Sequence, residues 1–156
     1  MKNRSCVTMK LFRNTGIVIL RIEAVHSDIN KKGDPPPMDH QQLINYGLKK
    51  TGADLRYPFD PETPILFVAN KMFALFGSFQ GTPSVNLKAD PDTVWLTRQT
   101  YPKSVYPGYH MNKRHWNTVL LDGSIGDSEI LDMLDESYQL VCSKLPKSEK
   151  QRLSLP

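Results

Sequence analysis

Apolar positions near residue 40 follow a helical period. The segment 38-MDHQQLINYGLKKTG-52 begins with Asp39, which can accept a hydrogen bond at a helix N-terminus, and Gln42 stands three residues later. That spacing is typical of a capping box, and the apolar Leu43 and Ile44 that follow belong to one helix face. The pattern therefore predicts a helix that opens a folded domain and ends at Gly52.

Three segments of strand length follow this helix. They are 64-PILFVANK-71, 72-MFALFGSF-79 and 84-SVNLKAD-90, of which the last alternates between apolar and polar residues. The dipeptide Asn70-Lys71 favours a tight turn between the first two, and short links favour antiparallel pairing. We therefore expect a three-stranded antiparallel meander.

The remaining pattern predicts two helices and two strands. Asp90-Pro91 supplies a helix start, so residues 91–100 are expected to be helical. Strands are expected at about 105–111 and 115–121, and Asp127 is expected to cap a long amphipathic helix. The element order is then α-β-β-β-α-β-β-α. This order is typical of a two-layer α+β fold with helices on one face of a five-stranded antiparallel sheet.

Proline and polar residues divide the chain into three parts. The segment 33-GDPPP-37 breaks regular structure immediately before the first predicted helix. Residues 1–37 are therefore expected to be a poorly ordered leader, either an appended strand and tail or a non-native upstream extension. Residues 38–146 are expected to form the domain, and residues 147–156 a polar tail.

Composition places the chain among ordinary globular proteins. It has 156 residues, of which 39% are hydrophobic and 23% charged, so one domain is expected. The apolar run 17-IVIL-20 is too short for a membrane span or a signal peptide, and we expect a cytoplasmic protein without membrane association. Two isolated cysteines, Cys6 and Cys142, predict neither a disulfide framework nor a zinc site.

The charge of +4 is unevenly distributed. Residues 1–37 contain seven Lys or Arg and three Asp or Glu, so residues 38–156 are neutral overall. Within that neutral part, residues 71–114 contain six cations and two acids, whereas acids concentrate between Asp122 and Glu136. The domain is therefore expected to be polarised.

The sequence does not indicate a catalytic, metal or cofactor site. His110 and His115 in 109-YHMNKRHW-116 are five residues apart, have two cations between them and have no cysteine or carboxylate beside them. Neither a nucleophile elbow nor a phosphate-binding glycine loop is present. The acids of the last helix are typical of its solvated face, although such a ridge can also bind a cation or a basic partner.

Cations near predicted strand ends suggest a contact surface. Lysine and arginine at hairpin tips can follow a phosphate backbone, and neighbouring aromatic rings can stack on unpaired bases. Charged tips can equally serve only to keep strand ends soluble. The candidate nucleic-acid-binding residues are Lys71, Lys88, Lys103, Lys113, Arg114 and His115.

Five segments together resemble the MmcQ/YjbR-like family of small bacterial domains. They are 56-RYPFDP-61, 71-KMFALFGSF-79, 84-SVNLKADP-91, 108-GYHMNKRHWNTVLLDG-123 and 137-SYQLV-141. The resemblance implies the element order given above and a fold compared with frataxin-like (CyaY-like), secretion-chaperone-like and double-wing DNA-binding domains. Members are often labelled DNA-binding, and the family supplies no catalytic residues to transfer.

Two functional hypotheses follow. The first is a non-catalytic domain that binds DNA weakly through backbone contacts at its basic hairpin tips. The alternative is a protein-interaction or chaperone-like module, either a homodimer or a binder of another protein, with no role in nucleic-acid binding.

Overall fold

The computed structural model of the protein describes residues 6–14, 17–25 and 35–155, and the chain divides into two units, Met1–Pro35 and Pro36–Pro156. The first unit contains strands β1 (Cys6–Asn14) and β2 (Ile17–Val25). The second contains α1 (His40–Gly47), β3 (Ala53–Arg56), β4 (Ile65–Val68), β5 (Lys71–Phe79), β6 (Thr82–Lys88), α2 (Val94–Thr100), β7 (Val105–Pro107), β8 (Trp116–Leu120), α3 (Asp127–Ser143) and α4 (Lys147–Arg152).

The predicted leader corresponds closely to the first unit. Its strands β1 and β2 pair antiparallel, with Cys6 opposite Val25 and Asn14 opposite Ile17. The leader also contains residues 1–5, 15–16 and 26–34, which lie outside the described residues. The poor order and the non-native origin expected for residues 1–37 stay predictions.

The sheet of the second unit has six strands in the order β3-β4-β5-β6-β8-β7, and every neighbouring pair is antiparallel. The α+β class and the antiparallel sheet agree with the prediction, but the expected number of five strands is wrong. The additional strand is β3, whose four residues alternate too briefly to give a strand pattern by themselves. Its pairing with β4 places it at the sheet edge.

Helices α1 and α3 pack on one face of the sheet, which we call the helix face. The predicted capping box starts α1, because Gln42 donates its backbone N–H to Asp39 at 2.8 Å and Asp39 donates its own to the Gln42 side chain at 2.9 Å. Helix α3 buries Ile130 and Leu134 against the core. We call the opposite face of the sheet, on which Asn86 and Thr118 lie, the open face, since α1 and α3 both pack on the helix face. The side chains of Asn86 and Thr118 are nevertheless buried.

A β-bulge fixes how α3 sits on the sheet. Leu66 pairs with Ala74 and Phe67 with Met72, so Phe73 is the extra residue on β5. The Ser137 hydroxyl donates to the carbonyl of Phe73 and accepts the backbone N–H of Lys88 at 2.8 Å. One side chain of α3 thus satisfies two backbone groups on neighbouring strands, which would otherwise be buried without partners.

Two hairpins turn through pairs of residues with positive φ. Ala69 (47°) and Asn70 (61°) link β4 to β5, and Gln80 (52°) and Gly81 (81°) link β5 to β6. Two consecutive positive φ angles are the geometry of a type I′ turn, whose twist matches that of the flanking strands. The first turn lies one residue earlier than the Asn70-Lys71 turn expected from the sequence, so Lys71 is the first residue of β5.

The C-terminal segment is more structured than a polar tail suggests. Helix α4 buries none of its residues, in keeping with its polar composition. Leu153 and Leu155, which follow it, pack partly buried against the hydrophobic core. Pro156 lies outside the described residues.

Alkaline pH is expected to destabilise the fold through Tyr101. Burial, followed by the charge of Glu129, raises the pKa of Tyr101 to about 12 from an ordinary value of 10.0. A raised pKa means that the unfolded chain ionises first, so the stabilising contribution of the neutral phenol is present below pH 10 and is lost as pH rises towards 12. Urea denaturation between pH 9 and 12 should show this fall.

Tyr101→Phe should remove part of the alkaline fall and leave stability at pH 7 close to that of the wild type. The Tyr101 hydroxyl has no hydrogen-bond partner among the described residues, so its removal leaves no group unpaired. Burial also raises the pKa of Tyr138, which keeps the remaining pH dependence. An unchanged pH profile in the variant would show that Tyr101 is not responsible.

Candidate functional site

Strand order gathers most of the predicted contact residues at one end of the sheet. Strand β5 begins at Lys71, β6 finishes at Lys88, and Lys88 pairs directly with Trp116, the first residue of β8. The backbone N–H of Ala89 donates to the carbonyl of His115 at 2.8 Å, so the 108–115 loop adjoins the end of β6. We call this region the basic end, formed by Lys71, Lys88, Lys113, Arg114, His115 and Lys144.

Lys88 lies at the centre of this charge. Burial, and then the positive charges of Lys144 and Lys71, lower its pKa. Its ammonium group also lies 5.6 Å from the ring centre of the buried Trp116. Like charges held close together around a half-buried lysine produce a positive potential that a bound anion would relieve.

Lys144 is a residue that sequence reasoning missed. It follows the last turn of α3, 56 positions after Lys88, and joins the basic end only because α3 packs across β5 and β6. The acids of α3 begin at Asp127, at its N-terminal end, whereas Lys144 is at its C-terminal end. Helix α3 thus changes from acids at its N-terminal end to a cation at its C-terminal end. This change, together with the expected packing of the helix on the sheet, could have predicted the contribution of Lys144.

The basic end is not neutralised by the acids around it. Within residues 35–155, ion pairs link Lys50 to Asp135, Arg56 to Asp54 and Arg152 to Glu149, and none involves a cation of the basic end. Asp90 and Asp92 follow Lys88 closely, and Glu136 of α3 lies beside Asp90, so three acids reduce the local excess of positive charge. The five Lys and Arg residues of the basic end nevertheless outnumber these three acids.

Lys103 does not join the other predicted residues. It precedes β7 at the end of the sheet where β8 finishes, since Val105 pairs with Val119 and Leu120 donates its backbone N–H to Ser104. Strand β8 has five residues, which separates the two ends by roughly 13 Å. Lys103 is therefore not part of the basic end, and this grouping in the sequence analysis is wrong because spacing along the chain does not show which end of a strand a loop occupies.

Arg98 of α2 holds the 108–115 loop in place. Its guanidinium donates to the side chain of Asn117 at 2.7 Å, to the carbonyl of Trp116 at 3.2 Å and to the carbonyl of Lys113. Asn117 in turn donates to the carbonyl of Val94 on α2 at 3.4 Å. Arg98 thus has a positioning role and differs from the exposed cations that it supports.

Arg98→Ala is expected to loosen the loop and to lower the free energy of unfolding by about 1–3 kcal/mol, because two backbone carbonyls and the Asn117 side chain lose a charged donor. Amide hydrogen exchange should accelerate between residues 112 and 117 more than in α1. Arg98→Lys should recover only part of the protection, since an ammonium group cannot reproduce the forked geometry. Uniform acceleration along the whole chain would contradict a local role.

An aromatic groove lies on the open face and reaches the basic end only at Lys113, since Phe79 is the last residue of β5, whose first residue is Lys71. Phe79 contacts Tyr106 at 5.0 Å and Tyr109 at 5.3 Å between ring centres, and Tyr109 contacts His110 at 4.0 Å. The groove has a volume of about 480 Å³. Its lining comprises Phe79, Tyr106, Pro107, Gly108, Tyr109, His110, Met111 and Lys113.

Hydrogen bonds on the open face fix Tyr109 in this groove. The backbone N–H of Tyr109 donates to the Thr118 hydroxyl at 2.8 Å, and that hydroxyl donates to the side chain of Asn86 at 2.6 Å. The Tyr109 ring is still 51% exposed, whereas Trp116 is 8% exposed. Packing therefore accounts for Trp116 fully and for Tyr109 only in part.

The other candidate groups form no further site. Within the described part of the chain, no group of three or more His, Cys, Asp or Glu side chains is arranged to hold a metal ion. His110 and His115 belong to the loop and not to a strand. None of the described helices combines the length and hydropathy required to span a membrane.

Comparison with known proteins identifies relatives of the chain. Residues 48–140 match the YjbR family model. The chain is 35% identical over 114 residues to Uncharacterized protein YbdF of Escherichia coli O157:H7, covering 73% of this chain and 93% of that protein. It is also 35% identical over 116 residues to Uncharacterized protein YjbR of Escherichia coli strain K12, covering 74% and 98%.

Solved structures give the same result. The crystal structure of Deinococcus radiodurans protein DR2400 has a TM-score of 0.71 at 35% identity, covering 78% of this chain and 92% of that one. A Pseudomonas syringae protein has a TM-score of 0.57 at 33% identity, covering 66% and 98%. These matches confirm the family resemblance and the α+β class predicted from the sequence.

Proposed function

The protein belongs to the YjbR family, and from this premise we propose that it is a non-catalytic cytoplasmic domain that binds nucleic acid, weakly, through its basic end. The contacts are to phosphate oxygens, and they position the protein on the strand without selecting a base sequence. DNA is the expected ligand, and RNA offers the same phosphate chemistry.

The observation that supports this proposal is the convergence around Lys88 of cations that have no ion-pair partner within residues 35–155. Lys71, Lys113 and Arg114 are exposed, and no acid within residues 35–155 forms an ion pair with them. Each cation that binds a phosphate releases a condensed counterion from the nucleic acid. This release favours association at low salt. Arg98 adds to this by keeping the loop of Lys113 and Arg114 beside β6.

A second candidate function is a protein-interaction module. The favouring observation is the exposure of aromatic side chains outside the groove: Phe59 is 72% exposed, Tyr57 50% and Trp95 55%. Isolated exposed aromatics are common at protein interfaces, but they also occur singly on surfaces without a partner. The cations of the basic end favour the first candidate.

Fluorescence anisotropy with a labelled oligonucleotide tests the proposal against an internal control. Lys71→Ala, Arg114→Ala and Lys103→Ala each remove one positive charge from an exposed side chain next to a strand end. At about 50 mM salt, each of the first two should weaken binding roughly tenfold or somewhat less, since each removes one phosphate contact. Lys103→Ala should bind like the wild type.

Equal effects of all three substitutions would show that binding follows net charge and not the basic end. If the wild type binds no oligonucleotide even at about 20 mM salt, the proposal fails, and the protein-interaction module becomes the leading candidate.

A further inference from the structure

We propose that the aromatic groove of the open face takes unpaired bases, so that the preferred ligand is a single-stranded nucleic acid. This inference rests on the proposed function, because the basic end is assumed to bind the phosphates of the same strand. The ring faces and edges of Phe79, Tyr106 and Tyr109 converge in the groove, as described above.

The groove offers a surface on which a base can stack. The backbone of Tyr109 is bonded to Thr118, and its ring packs against Phe79, with ring planes inclined by 68°, and against His110 at 4.0 Å. Tyr109 is nevertheless 51% exposed, so these contacts restrict the ring before a ligand arrives and leave part of it accessible. A ring fixed in advance loses little conformational entropy when a base stacks on it.

Charge connects the groove to the basic end. Lys113 lines the groove and is also a member of the basic end, so the two surfaces share a residue. A strand whose phosphates lie on Lys88, Arg114 and Lys113 therefore has bases within reach of Tyr109. Basic surfaces interleaved with aromatic rings are the usual means of binding single strands without sequence preference.

A duplex cannot place a base in the aromatic groove. Its bases are stacked on one another and paired, so a ring at the floor of an open groove cannot reach a base face without unpairing it. A duplex can contact the basic end through phosphates alone. The groove therefore predicts a preference for unpaired strands that the basic end alone does not.

The test compares three ligands of equal length at about 50 mM salt: an oligothymidylate, an abasic sugar–phosphate strand and a duplex. We expect the wild type to bind the oligothymidylate about tenfold more tightly than the abasic strand, in line with the stacking of one base. Tyr109→Leu should remove this difference and leave the affinity for the abasic strand unchanged. Trp95→Leu is the matched control, since Trp95 is 55% exposed and outside the groove, and it should retain the difference.

Each alternative outcome has a distinct meaning. Equal affinity of the wild type for the oligothymidylate and the abasic strand overturns the groove inference and leaves phosphate binding at the basic end intact. No binding of any ligand overturns the proposed function, and the groove inference with it. Loss of self-association in Tyr109→Leu without a change in oligonucleotide affinity, measured by sedimentation, would assign the groove to a second copy of the chain.

The wild-type comparison does not depend on the variant folding correctly. As an independent measurement, amide chemical shifts of residues 106–111 should change on addition of the oligothymidylate and stay unchanged with the abasic strand. Shifts confined to the basic end with both ligands would also overturn the inference.

Discussion

Ser137→Ala is expected to lower the free energy of unfolding by about 2–4 kcal/mol. Ser137 is fully buried, and its hydroxyl is the shared partner of the Phe73 carbonyl and the Lys88 N–H. Alanine fills the same site without replacing either hydrogen bond, so the buried Phe73 carbonyl and the part-buried Lys88 N–H lose their partner, at roughly 1–3 kcal/mol each. The effect exceeds that of a typical surface substitution severalfold.

Ser143→Ala is the matched control for this prediction. Ser143 belongs to the same helix, is exposed, and donates its hydroxyl only to the nearby Leu140 carbonyl at 2.9 Å. Its removal should change stability by less than about 0.5 kcal/mol. Urea denaturation followed by far-ultraviolet circular dichroism measures both variants. Similar values for the two would mean that the β-bulge does not depend on Ser137.

Lys88→Glu is expected to weaken nucleic-acid binding by about tenfold to hundredfold at 50 mM salt without lowering the stability of the fold. The substitution removes one phosphate contact and adds a repelling charge, which together correspond to about two lost contacts. In the free protein the new carboxylate would lie near Lys71 and Lys144, whose positive charges repel Lys88 in the wild type. Attraction thereby replaces repulsion, and this offsets the loss of the contact between Lys88 and Trp116.

Opposite responses of affinity and stability distinguish a ligand-binding surface from a structural cluster. Lys103→Glu is the control, since it changes the net charge equally at the other end of the sheet and should leave affinity within about threefold, by the weak action of distant screened charges. Anisotropy titration and thermal denaturation supply the two readouts. A fall in both for Lys88→Glu would mean that Lys88 supports the fold and not a ligand.

The sequence was sufficient where a local pattern determines a local structure. The capping box of Asp39 and Gln42 predicts the start of α1. The pattern that begins at Asp127 predicts α3, whose N-cap is Gly126, one residue earlier than expected. By contrast, β3 has four residues and exists because it pairs with β4, which no local pattern reveals. The type I′ turn lies at Ala69-Asn70, one residue before the expected Asn70-Lys71 turn. The two positive φ angles set the register of the strands, and the dipeptide with the strongest turn preference does not.

The candidate site depends more strongly on tertiary structure than the elements do. Lys71, Lys88, Lys113 and Arg114 are recognisable as cations near strand ends, but the order β5-β6-β8 decides that they share one end and that Lys103 does not. Phe79, Tyr106 and Tyr109 meet only because β5 and β7 belong to the same curved sheet and the 108–115 loop folds back onto its open face. Because these residues are far apart in the sequence, the sequence alone predicts neither the groove nor the contribution of Lys144.

Salt dependence of oligonucleotide binding tests the phosphate-binding role of the basic end most directly. With four or five phosphate contacts to a single strand, the logarithm of the association constant should fall against the logarithm of salt concentration with a slope of about −3. Anisotropy titrations of the wild type between about 20 and 200 mM salt give this slope. A slope near zero, or an affinity too weak to detect at the lowest salt concentration, would contradict the account.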